Sequence, residues 1–328
     1  MKKRKYLMLL LCIPLLITGC KKVPKLADGK EVVVEIGEKQ FTAEDFYAEL
    51  KDIYGTSVLI NMVDKYITEQ ELTEEMKSEA ETNAKAEYDY YYAMTGTNWN
   101  SFLTSNGFTS DEEFKEQINI MYQQELVLKK YVKENVVKDE DIQKYYDENI
   151  FGENTVRHIL IIPDVTNDMT TEEKTEAKNK ALEEAKTLIA QLKDSKNLES
   201  DFEALAKEKS EDEGSALQGG LIENFTNETG LVEEFWKASL NLEVGKITQD
   251  PVETEFGYHI IYKVSQKEKP TLDTVKDKVI DKVAKELLAA ENATYIYWAG
   301  LREKYNMNIH DDSIKDTYDN SLQQIKAS

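Results

Sequence analysis

Two apolar, β-rich runs constrain this chain more than any other feature. The first, VRHILIIP, spans Val156 to Pro163. The second, TEFGYHIIYKV, spans Thr254 to Val264. Their near-continuous Ile, Val, Leu and Tyr content suits central strands. Each carries a histidine, His158 in the first and His259 in the second, and these are two of the three histidines in 328 residues. Between the runs lie two helical patterns, a loop ending in Gly219-Gly220, and a short helical pattern at Leu231–Leu240. Thr170 with Glu173, and Ser200 with Glu203, read as capping boxes that start the two longer helices. Leu221–Phe225 and Val252–Thr254 add strands, so the stretch reads as a small sheet with helices packed on it, an α+β unit.

Five ordered pieces give this stretch a resemblance: HIL at His158–Leu160, DFEALAKEKSED at Asp201–Asp212, GSALQGG at Gly214–Gly220, Leu231-Val232 with Phe235, and VGKIT followed by PVETEFGYHIIYKV up to Val264. In this order and spacing they resemble a parvulin-type peptidyl-prolyl isomerase domain. The resemblance implies a reaction that needs no metal and no cofactor. It implies that His158 and His259 are the paired, neutral, hydrogen-bonded imidazoles of the site. Asp212 matches the position that parvulins give to Cys or Asp beside the bound amide, and Thr254 matches a hydroxyl that could link the imidazoles. Leu231 and Phe235 match the proline pocket, and Ile222 and Phe256 would complete its wall. The residues alone leave other readings open: satisfied core histidines, core Leu and Phe, and a solvated loop acid.

One departure bears on activity. Many parvulins follow the paired glycines with Asp-Leu-Gly and an aromatic; this chain has Leu221-Ile222-Glu223-Asn224-Phe225. The loop is still expected to form, with an altered pocket floor where Glu223 replaces glycine. The rival function is therefore a holdase chaperone whose isomerase unit is inactive.

The flanks frame the unit. A basic start (Lys2, Lys3, Arg4, Lys5) precedes an apolar run from Tyr6 to Ile17 that is too short for an ordinary spanning helix, and Ile17-Thr18-Gly19-Cys20 follows. Small residues before a cysteine resemble a bacterial lipobox, with Cys20 as the lipidated residue. Cys12 would leave with the signal, so no internal disulfide is expected. The expected domains are a signal peptide (1–19), a tether (20–31), a helical chaperone-like segment (32–150), the isomerase domain (155–266), and a C-terminal helix and tail (270–328). Val32–Ile36 reads as a strand, and Thr42 with Asp45 caps a helix from Ala43 to Gly55. A second helix is expected near Ser57, and a third, tyrosine-rich one from Leu72 to Met94. Another starts at Ser110. After Pro270 one long helix is expected from Leu272 to about Lys304, with Val275, Val279, Val283 and Leu287 on one side. That face needs a partner, and the N-terminal helices are the expected one, which would make the flanks a split domain around an inserted unit. MNIH at Met307–His310 is expected to return as a strand beside Val32–Ile36, and the tail to be solvated.

With these flanks the whole chain resembles PrsA-type extracytoplasmic foldase lipoproteins of Gram-positive bacteria. The resemblance implies unfolded secreted proteins with X–Pro bonds as partners. It also implies attachment through Cys20 to the outer face of the cytoplasmic membrane, with a homodimer left open. A formal charge of −22 argues against nucleic acid as a partner.

Overall fold

The computed structural model describes residues 29–327. The signal peptide at 1–19, Cys20 and most of the 20–31 tether lie outside the described residues. The chain divides into two units: 139–279, and a unit made from both ends of the chain, up to 138 and from 280.

The two-ended unit opens with an antiparallel hairpin, β1 (Val32–Ile36) and β2 (Lys39–Thr42). Helices α1 (Ala43–Glu71), α2 (Glu74–Thr95), α3 (Trp99–Ser105) and α4 (Asp111–Asn135) follow. Thr42 and Asp45 form the expected capping box, and Ser110 caps α4 by accepting from the Glu113 N–H. α1 does not stop at Gly55. It runs through for 29 residues, and the missing side chain leaves room for Ile314, whose Cδ1 lies 3.4 Å from where a β-carbon would sit. In the tyrosine-rich helix, Tyr88 and Tyr91 pack against Trp99 and Phe114. Tyr88 Oη and Trp99 Nε1 each donate to Asp111 Oδ1 at 2.9 Å, which ties α2 and α3 to the first turn of α4.

The C-terminal half of this unit departs from expectation in two places. The long helix after Pro270 is broken into α9 (Leu272–Ala289) and α10 (Ala293–Lys304) at Asn292, which takes a left-handed φ of 60°. Met307–His310 forms no strand, and β1 pairs with β2 instead. The tail stays largely solvated, with no buried residue, and forms a helix, α11 (Asp312–Ala327), that lies against α1 and α10. Ile67, Val127, Leu128, Trp298 and Leu301 form a core shared by α1, α4 and α10. Beside it, Arg302 of α10 donates to both carboxylate oxygens of Asp64 on α1, at 2.7 and 2.6 Å.

The second unit holds α5 (Asp139–Asn149), β3 (Asn154–Ile161), α6 (Thr171–Lys193), α7 (Leu198–Lys209), β4 (Leu221–Phe225), α8 (Glu233–Asn241), β5 (Val252–Thr254) and β6 (Gly257–Gln266). The sheet order is β4-β3-β6-β5, with every pair antiparallel. Thr170 and Glu173 cap α6 as expected. α7 starts one turn earlier than its predicted box: Asn197 is the N-cap, and Ser200 sits inside the first turn, donating to Asn197 O. Alternation divides the central strands between two cores. Ile159, Ile161, Ile260 and Tyr262 face α6 and α7, where Ala185, Leu188, Leu192 and Phe202 cover them. Val156 and Ile261 face the other way, toward α8, with Phe225 and Phe235.

Replacing Asp64 by Ala leaves the Arg302 guanidinium, 7% exposed, without its counter-ion. Urea unfolding of the full chain is expected to lose about 3 kcal/mol. Lys85→Ala, which removes an exposed i,i+4 pair with Asp89, is expected to change stability by less than about 0.5 kcal/mol.

Candidate active site

The register of β3 against β6 builds the site. His158 pairs with Ile261, and His259 with Leu160. The two histidines are therefore staggered neighbours on the α8 face. Their rings lie 5.4 Å apart at 20° to one another, and Nδ1 faces Nδ1 at 3.2 Å. Both are buried, at 4% and 5% exposure.

A hydrogen-bond chain runs through the pair. His158 Nε2 lies 2.9 Å from Asp212 Oδ2 and 2.9 Å from Ser215 Oγ, and the Ser215 hydroxyl donates to Asp212 Oδ2. Thr254 does not link the two imidazoles as expected, because they bond each other directly through Nδ1; it sits at the other end, with Oγ1 2.9 Å from His259 Nε2 and accepting from the Phe256 N–H at 3.1 Å. Burial raises the Asp212 pKa, but hydrogen bonds from Ser215 and His158 outweigh it and hold the value below the usual carboxylate range. An ionised Asp212 only accepts, so His158 carries its proton on Nε2 and its Nδ1 is an acceptor. His259 then donates from Nδ1, and in its neutral form its Nε2 accepts from the Thr254 hydroxyl, which also lies 3.4 Å from Gly257 O. With both imidazoles neutral, every donor in the chain meets an acceptor.

Burial and charge favour that state. Burial lowers the His158 pKa, with Asp212 opposing, and burial together with His158 pushes His259 down to about 4. All four nitrogens are engaged within the chain, and among the described residues no group of three or more His, Cys, Asp or Glu is disposed to hold a metal ion.

The apolar half of the site sits on α8. Phe235, 2% exposed, presents its ring edgewise to both imidazoles, with centroids at 5.2 Å from each. Ile222 and Leu231 pack half-buried against the same Phe235–Ile261 cluster. Phe256 does not join it: the residue lies in the β5–β6 turn and is 56% exposed. The Asp212 loop is held by close backbone approach. Gly220 O accepts from the His158 N–H at 2.8 Å, and a β-carbon on Gly220 (φ 71°) would fall 2.0 Å from His158 O. The departure after these glycines leaves β4 intact. Asn224 takes the left-handed conformation (φ 51°) that asparagine tolerates, and Phe225 still enters the core. Ser215 was not singled out from the sequence. Its position three residues after Asp212, in a loop closed by glycines, was the available signal.

The histidines set a sign for pH dependence. Their folded pKa values lie below the unfolded value of about 6.5, so the unfolded chain takes up protons first as pH falls. Stability from this pair is complete above about pH 6.5 and is lost progressively toward pH 4, with His259 accounting for about 3 kcal/mol. Hydrogen-exchange protection of β3 and β6 amides, corrected for intrinsic rates, is expected to decline over that window. The decline should be shallower in His259→Gln.

Comparison with known proteins agrees with this geometry. The family model for the PPIC-type PPIase domain, the rotamase family, matches residues 158–265, which hold every residue of the site. Foldase protein PrsA 3 of Bacillus anthracis is 31% identical over 288 residues, covering 85% of this chain and 83% of that one. Foldase protein PrsA 1 of Listeria monocytogenes serovar 1/2a is 30% identical over 304 residues, covering 93% and 89%. The solved structure of foldase protein PrsA from Streptococcus pneumoniae matches with a TM-score of 0.55 at 19% identity, over 88% of this chain and 98% of that one, which bears on the fold alone. The chain belongs to the PrsA foldase family and carries its peptidyl-prolyl isomerase domain.

Proposed function

We propose that the chain is an extracytoplasmic peptidyl-prolyl cis–trans isomerase that assists the folding of secreted proteins by rotating X–Pro bonds where Phe235 of α8 meets the paired histidines. The observation that carries this is Phe235 set edge-on to two neutral imidazoles at the border of an apolar cluster. The barrier to rotation is amide resonance, about 18–20 kcal/mol. The planar amide is more charge-separated than the twisted one, so an apolar slot favours the twisted form. Phe235, Leu231 and Ile222 receive the proline ring. His158, His259 and Thr254 hold the slot's polar wall in one hydrogen-bonding pattern, and Asp212 presents a fixed negative charge beside the rotating amide. Phe256 contributes from the rim, where its exposed ring meets the residues flanking proline.

The alternative, a holdase with an inactive isomerase unit, is not favoured, because the changed residues after the paired glycines leave the imidazole chain and β4 in order. A client surface is still compatible with isomerase activity. Tyr47, Tyr54, Val58, Met62 and Tyr66 recur at seven- and four-residue spacing along α1, each about half exposed or more. This stripe supports contact with apolar segments of unfolded chains; a second copy of the chain is the competing occupant.

For attachment, the lipobox-like residues before Cys20 support a diacylglyceryl anchor on the outer face of the cytoplasmic membrane. Two acyl chains suffice for stable anchoring. Among the described residues no helix is long and apolar enough to cross a membrane.

The isomerisation of proline peptides tests the first reading. The intact chain is expected to exceed the uncatalysed rate, with efficiency falling at least about tenfold in Asp212→Ala and in Phe235→Ala; no rate above background in the intact chain would end this reading. In cell fractionation, Cys20→Ser is expected to move the protein from the membrane to the medium or to leave it uncleaved, with loss of the lipid mass.

A further inference from the structure

One ionisable group beside the site has no part in the imidazole chain. β6 turns three successive side chains toward α8: His259, Ile261 and Lys263. Lys263 is fully buried, at 0% exposure. Its ammonium meets no carboxylate. Nζ donates to Ser239 O at 2.9 Å, Leu240 O at 3.1 Å and Gln266 Oε1 at 2.7 Å. Burial lowers its pKa.

The two backbone acceptors define what this group does. Ser239 and Leu240 lie in the last turn of α8, where carbonyls lack intrahelical donors. A cation there satisfies them and opposes the negative end of the helix dipole. α8 is only nine residues long and ends without a glycine cap: Leu242 follows in an extended conformation (φ −80°, ψ 136°). Its N-terminal side also lacks a side-chain cap. The same helix carries Phe235, whose own carbonyl accepts from the Ser239 hydroxyl at 2.8 Å. The anchored turn is thus one hydrogen bond from the residue that faces both imidazoles.

We infer that Lys263 is a positioning residue of the isomerase site: its buried ammonium caps α8 from the neighbouring strand and fixes Phe235 over the histidine pair, setting how tightly the proline ring is held. This rests on the isomerase reading for its consequence in turnover, but the placement of Phe235 is measurable without it. Lys263 is not a catalytic residue, since it touches neither ring and faces the far end of the helix. Its effect falls on the apolar wall, which binds proline, while Asp212, His158, His259 and Thr254 keep their own hydrogen bonds. KM is therefore the constant it governs, and kcat is the one it spares.

The test uses the full chain with Lys263→Met, which keeps the length of the side chain and removes the ammonium, and Lys267→Met, which breaks only an exposed pair with Glu153, as control. In proton NMR, the Hε1 signals of His158 and His259 sense the ring current of Phe235, with Phe235→Leu giving the value without it. Lys263→Met is expected to move both signals toward those of Phe235→Leu, and to raise KM for a proline peptide about tenfold with kcat changed less than about twofold. Lys267→Met should change neither. Lys263→Cys, alkylated with bromoethylamine while unfolded and then refolded, restores an ammonium at the same reach and should return both signals and KM. Unmoved histidine signals in a folded Lys263→Met protein would overturn the inference, as would equal losses of kcat and KM that the aminoethyl group does not restore. If the intact chain proves inactive on proline peptides, the isomerase reading fails by itself, and the histidine signals still decide the role of Lys263.

Discussion

The pairing of β3 with β6 is the constraint on which the site depends. With His158 opposite Ile261 and His259 opposite Leu160, the two imidazoles stand side by side on one face of the sheet. A slip of one residue in either strand would turn one ring toward α6 and α7 and bring an isoleucine or tyrosine into its place. Both faces resist that slip. Ile159, Ile161, Ile260 and Tyr262 fill the core under α6 and α7, while Val156 and Ile261 fill the one under α8. The polar arrangement is therefore specified by apolar packing on two sides of it.

Burial then determines the protonation of what the sheet brings together. A charged imidazole in this position would have to give up its solvation, and a second one beside it would add repulsion. Neutral rings instead pass a single directional set of hydrogen bonds from Thr254 to Asp212. The only charge on the chain sits at its partly exposed end, where Ser215 and His158 both donate to it. Such a site is suited to a reaction in which no covalent bond is made or broken. It offers a fixed polar wall facing an apolar one, and neither has to titrate.

Much of this was legible from the residues in order. Alternation and β-branched content marked β3 and β6, and the ordered pieces from His158 to Val264 carried His158, Asp212, Phe235 and His259 into one small unit. The misses have physical causes. Gly55 suggested a helix end, because glycine is a poor helix former; contact with Ile314, 259 positions away, makes its small size an asset there. Asn292 breaks the C-terminal helix through a left-handed backbone that propensity alone does not distinguish from an ordinary polar position. Phe256 shared the site's sequence neighbourhood but occupies an exposed turn, outside the cluster that holds Leu231 and Ile222. Lys263 reads like any lysine near the end of a strand until the fold seals it beneath α8.

The sequence by itself determined the α+β unit, the family, and the residue types that meet in the site, because these follow from local periodicity and from an ordered set of motifs along the chain. Only the tertiary structure decided the hydrogen-bonding sense of the imidazole chain, the entry of Ser215 into it, the exclusion of Phe256 from the apolar cluster, and the burial of the Lys263 ammonium. Each of these depends on which distant side chains arrive within about 3 to 5 Å, and on how much water remains between them, and both are set by packing across elements.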